Sequence, residues 1–134
     1  MRGSEGRTDA VFEVSDMDLA GRLGTLKVNG RKVRTPELMP VVNPNKLVSP
    51  HSVPPKELLE EFGFGMIITN SYIIGRTEEL RTAALAKGLH SMLDFDGLIM
   101  TDSGTFQSFI YGGNRNEHPV PDNVETIMQL KNSE

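Results

Sequence analysis

A chain of 134 residues is one domain at most, and 14 Lys and Arg against 18 Asp and Glu give it a formal net charge of -4. It has no Cys, which excludes a disulfide scaffold, a thiolate metal site and a Cys nucleophile. An acidic chain is a poor stand-alone nucleic-acid binder, because affinity for phosphate rests on Lys and Arg.

Residues 1–10 read as a polar flexible tail without the apolar stretch of a secretory signal. Apolar runs reach four residues, far short of the ~20 of a spanning helix, so cytoplasm is the expected location and no membrane is expected as a partner. Val11 to Val14 is a strand candidate, Gly21 to Gly24 reads as a turn, and Thr25 to Val28 alternates polar and apolar as a half-buried strand does. Asn29-Gly30 is a tight-turn pair, and Arg31 to Thr35 returns as the partner strand. Residues 11–35 are therefore expected to form a small antiparallel hairpin. The first 34 residues hold seven of the basic side chains against five acidic ones; the remaining hundred hold seven against thirteen.

From residue 36 the pattern changes. Leu38 to Val42 is a nearly continuous apolar run, as expected of a strand buried on both faces. A loop follows to Pro55, after which Pro54-Pro55 opens a helix with Leu58, Leu59 and Phe62 on its apolar stripe and Gly63 as its stop. Met66 to Asn70 is a second buried strand. Glu78 to Lys87 is a helix with Leu80, Ala83, Ala84 and Leu85 inward, stopped by Gly88. Leu98 to Asp102 is a third strand, Gly112 to Asn114 a loop, and Val124 to Lys131 a last helix. His90 reads as a surface residue near a helix end, and the seven Met as core filler.

Alternation of strand and helix implies a parallel sheet, whose working residues lie just past the C-terminal strand ends. Three segments qualify: Val42-Asn43-Pro44, Asn70-Ser71-Tyr72 and Asp102 to Gln107. Asn, Ser and Asp there serve equally well as helix caps. The third segment is the richest. Asp102 ends an apolar strand, where a carboxylate accepts hydrogen bonds from a nitrogen base, exchanges protons, or attacks carbon. Gly104 lets a ligand approach the backbone, Phe106 offers a face for stacking, and Gln107 offers an amide for edge recognition. A carboxylate, an amide and an aromatic ring suit a purine-like heterocycle better than a phosphate.

Asp102-Ser103-Gly104-Thr105-Phe106-Gln107 resembles the DSG-x-FQ signature of the tRNA-guanine transglycosylases, the queuine and archaeosine tRNA-ribosyltransferase family. Met39 to Pro44, Thr69 to Ile74, Ala20 to Gly24 and Thr35-Pro36 resemble its archaeal, archaeosine branch. The resemblance runs collinearly from about Val11 onward. It implies a (β/α)₈ barrel preceded by a small antiparallel sheet, with residues 36–134 as its first three βα units and 11–134 as the N-terminal part of the catalytic barrel. It implies a pentosyltransferase that breaks the N-glycosidic bond of a guanine in the tRNA D-loop and installs 7-cyano-7-deazaguanine, precursor of archaeosine. Asp102 matches a catalytic aspartate, either nucleophile or acid/base; sharing a loop with Phe106 and Gln107 favours the latter. Ser103, Phe106, Gln107, Asn70 and Ser71 match substrate-pocket positions, with Phe106 stacking on the base.

The family's second aspartate, its glycine-rich recognition loop and its zinc site of three Cys and one His are expected beyond residue 134, so no metal or other cofactor is expected in this chain. It reads as a truncated form, a truncated gene product or half of a split enzyme, inactive alone. The expected partners are tRNA, a 7-deazaguanine base and a complementary C-terminal chain or domain, with homo-oligomers a further expectation. The alternatives are a non-catalytic subunit of a split transglycosylase and a small purine-binding α/β module.

Overall fold

The computed structural model describes residues 10–47 and 49–104. Most of the expected tail, Thr105 to Gln107, the Gly112–Asn114 loop and the Val124–Lys131 helix lie outside the described residues.

The chain opens with a three-stranded antiparallel meander, β1 (Ala10–Asp18), β2 (Gly21–Val28) and β3 (Arg31–Thr35), in the order β1-β2-β3. Asn29 and Gly30, both at positive φ, make the turn between β2 and β3 as their types require. The first turn is not where the glycines suggest: it falls at Leu19-Ala20, and Gly21 to Gly24 lies inside β2. Gly24 belongs in the strand because the Phe12 ring crosses over it from β1, 2.6 Å from where a Cβ would stand. A register shift between Val14 and Asp16 inserts Ser15 as a bulge. Leu26 and Val33 pair on the inward face; Lys27 and Lys32 pair on the outward one, where Lys27 also meets Glu13 at 2.9 Å.

The second layer is parallel. Strands β4 (Met66–Asn70) and β5 (Leu98–Asp102) pair in register from Met66 opposite Leu98 to Asn70 opposite Asp102. The expected first strand is reduced to a single parallel bridge between Val41 and Ile68, with hydrogen bonds from Val42 N to Ile68 O and from Ile68 N to Pro40 O. Pro40 has no N–H to extend the ladder. Only Val42 of that run is buried; Leu38 and Val41 face out. Thr69 Oγ1 donates to Val42 O at 2.9 Å, which fixes the run beside β4.

Between β4 and β5 the chain forms three helices' worth of cover with the segment before β4: α1 (Pro55–Glu60), α2 (Ser71–Arg76) and α3 (Glu78–Leu93). Helix α2 was not apparent from composition, since Ile73, Ile74 and Gly75 are weak helix formers; Asn70 caps it by accepting from Ile73 N at 3.0 Å. Gly88 breaks α3 as expected (φ 78, ψ 163), yet the chain re-enters helix and delivers Leu89 and Leu93 to the core. Leu85 and Phe62, expected inward, are exposed. One core joins Val42, Ile67, Leu93 and Phe95, with Leu58 and Leu59 of α1 against it; a second joins Ile74, Ala84 and Leu89. The fold is thus mixed α/β, a meander beside a small parallel sheet. The described methionines are not uniformly core filler: Met17 and Met100 are exposed.

Candidate active site

The parallel pairing of β4 and β5 brings Asn70 and Asp102 level at the C-terminal ends of adjacent strands. The bridge at Val41 sets Val42-Asn43-Pro44 on the other flank of β4. The described parts of the three segments singled out in the sequence, with Asp102 to Gly104 from the third, therefore meet along one edge of the sheet.

Their side chains divide between scaffold and chemistry. Asn43 Oδ1 accepts from Asn45 N at 3.0 Å and caps the 3-10 turn Pro44–Lys46. The Asn70 carboxamide oxygen is committed to capping α2. Ser71 is buried, and its hydroxyl donates to the main-chain oxygen of Asp102 at 2.7 Å. That bond ties the start of α2 to the end of β5, so the structure gives Ser71 a scaffold task. Removing the hydroxyl should cost about 0.5–1.5 kcal/mol, the usual net worth of such a bond. Ser71→Ala is expected to lower the unfolding free energy from denaturant titration by that amount, and Ser71→Thr, which keeps the hydroxyl, to recover part of it; equal losses in both variants would refute the tie.

Asp102 itself is exposed, with its Oδ1 3.4 Å from Gly104 N. Although Asp102 ends an apolar strand, the described residues do not enclose its carboxylate in a low-dielectric pocket. Only Leu98 of β5 is buried, and Met100 is half exposed, because β5 pairs with β4 alone among the described residues. Ser103 is also exposed. Phe106 and Gln107 lie outside the described residues.

Gly104 explains the shape of this turn. It is buried at φ +70, and a Cβ there would run into the Cβ of Tyr72 and stand 3.2 Å from Asn70 Oδ1. Only glycine meets both demands. Arg76 was not singled out from the sequence, although it stands four residues after Tyr72 on α2, the spacing at which helical side chains meet. Arg76 Nη1 donates to the Tyr72 hydroxyl at 2.7 Å, and its guanidinium lies 5.5 Å from the ring centroid. This pair places a cationic, aromatic surface next to Gly104.

Chemically, the strand ends offer an exposed carboxylate able to accept a proton or a hydrogen bond, or to attack carbon. No group of three or more His, Asp or Glu suited to a metal occurs among the described residues. Nor can three Cys and a His be assembled from a sequence without Cys, so a zinc site of that kind does not fit this chain.

The family model for queuine tRNA-ribosyltransferase matches residues 16–126. The chain belongs to that family. The resemblance carried by Asp102 to Gln107 and its neighbouring segments thus holds. Among curated family members, the tRNA-guanine(15) transglycosylase of Thermococcus onnurineus is 58% identical over 102 residues, 76% of this chain and 17% of the relative. Those of Methanosarcina mazei and Methanopyrus kandleri are 56% and 53% identical over 104 residues each, 77% and 78% of this chain. The chain spans about a fifth of the length of these relatives, from 17% to 22%. No helix among the described residues is long and apolar enough to cross a membrane.

Proposed function

We propose that the chain is the N-terminal part of the catalytic barrel of an archaeosine-type tRNA-guanine transglycosylase. In this reading β4 and β5 are successive barrel strands, the Val41 segment is the strand before them, and the meander is the small sheet preceding the barrel. The assembled enzyme exchanges guanine in the tRNA D-loop for 7-cyano-7-deazaguanine, in the cytoplasm. Asp102 serves the base as acid/base group, Phe106 stacks on it, and Ser103 and Gln107 read its edges. Asn70 and Ser71 contribute by holding the Asp102 turn rather than by touching the substrate. The observation that carries the reading is identity of 53–58% to tRNA-guanine(15) transglycosylases over 102–109 residues, beside a family match over residues 16–126, which include the Asp102 turn.

A fifth of an enzyme is not expected to turn over alone. The reading is tested by a chimera in which this chain replaces the matching segment of the Thermococcus onnurineus enzyme. Labelled 7-cyano-7-deazaguanine should enter tRNA with the chimera and not with the isolated chain. A chimera that folds, by its circular dichroism and melting, yet exchanges no base would overturn the reading.

A further inference from the structure

Among the described residues, a small set of contacts joins the meander to the parallel layer. Val33 packs against Gly65, Glu37 Oε2 accepts from Gly65 N at 3.4 Å, and Arg31 at the start of β3 reaches across to the loop after α3. There Arg31 Nη2 meets Asp96 Oδ1 at 3.0 Å and Nε donates to Asp96 O at 3.2 Å. His90 stands beside this contact, in the walls of the same two cavities as Arg31, of about 430 and 390 Å³. It is half-buried rather than the surface residue its place near a helix end suggests. Its Nε2 is 3.0 Å from Gly97 O, a contact that makes Nε2 the protonated nitrogen of the neutral ring. Its Nδ1 is buried with no hydrogen-bond partner among the described residues.

We propose that His90, Arg31 and Asp96 form a proton-sensitive clasp between the two layers, closed while the imidazole is neutral and loosened when it is protonated. A second proton would sit on Nδ1, buried without an acceptor, and would put a cation next to the Arg31 guanidinium. Burial is the larger penalty on that charge and Arg31 the second. Asp96 and the Gly97 carbonyl work in the opposite direction but do not outweigh them. The other charged groups around this corner are Lys56 and Glu60 on α1 and Asp94 at the end of α3. The folded state therefore holds the His90 pKa below its ordinary 6.5. For a base with a lowered pKa the unfolded chain binds more protons, so stability is complete above 6.5 and is lost as pH falls below it.

The test uses this chain as it stands. Between about pH 7.5 and about pH 5.5, where carboxylates stay ionised, the wild-type melting temperature should fall by a few degrees. His90→Gln, which keeps an N–H for Gly97 and cannot titrate, should lose most of that slope while retaining His51 and His118. The imidazole carbon resonance of His90 should titrate below 6.5, with the Arg31 and Gly97 amide shifts following the same midpoint, and Arg31→Gln should raise it. Equal slopes in wild type and His90→Gln would overturn the clasp. If His90→Gln does not fold, the resonance decides: a His90 titrating at or above 6.5, or one indifferent to Arg31→Gln, overturns it.

Discussion

In the chimeric transglycosylase, Asp102→Asn should lower base exchange by about 10²–10⁴-fold, the range that one positioned acid/base group supplies, while the melting temperature stays at the parent value. The fold is spared because Asp102 is exposed and an Asn oxygen can keep the weak Gly104 N–H contact. The main-chain oxygen of Asp102, which Ser71 holds, is untouched by the change. What is lost is the capacity to accept a proton or to attack carbon, neither of which a carboxamide provides. Denaturing gels of the variant with tRNA separate the two roles. A covalent RNA adduct still formed by Asp102→Asn would place the nucleophile on another residue and leave Asp102 to the base. Parent-like turnover would remove Asp102 from the chemistry altogether.

How far the sequence discloses this molecule depends on whether local or distant contacts decide each element. Strands β4 and β5 have the bounds their composition implies, because apolar and β-branched runs are local signals, and β3 has its own because the Asn29-Gly30 turn sends the chain back there. Gly88 likewise breaks α3 through its own backbone. The failures lie where tertiary partners intervene. Gly24 looks like turn punctuation until Phe12 of the neighbouring strand is seen above it. Leu38 to Val42 looks like a buried strand until the missing N–H of Pro40 and the outward Leu38 and Val41 are counted. The strand-end logic located Asp102, Asn70 and Ser71 together, but not that Asn70 and Ser71 spend hydrogen bonds on scaffolding. His90 carries no local mark of burial, since only the fold brings Arg31 to it from 59 positions earlier in the chain.

Ile67→Ala should cost about 2–5 kcal/mol, the range for removing a large buried aliphatic side chain, a large part of what keeps the isolated chain folded. Ile67 is fully buried on β4, where Val42 of the bridging segment, Leu93 and Phe95 converge with Leu58 and Leu59 of α1. Every piece of the parallel layer except α2 leans on this one side chain or its immediate neighbours. Complete domains have ~5–15 kcal/mol in hand, and a chain whose β5 has one unpaired flank among the described residues belongs at the low end. Val41→Ala supplies the contrast from the same pairing. Val41 is 82% exposed, so its loss should stay within about 0.5 kcal/mol. Urea titrations followed by circular dichroism would compare the midpoints, with an unchanged slope showing that stability rather than the unfolded state has moved. Similar midpoints for the two variants would mean that Ile67 is not at the centre of the core. A Val41→Ala effect that grows with protein concentration would show instead that Val41, exposed together with Leu38, is covered by a second copy of this chain.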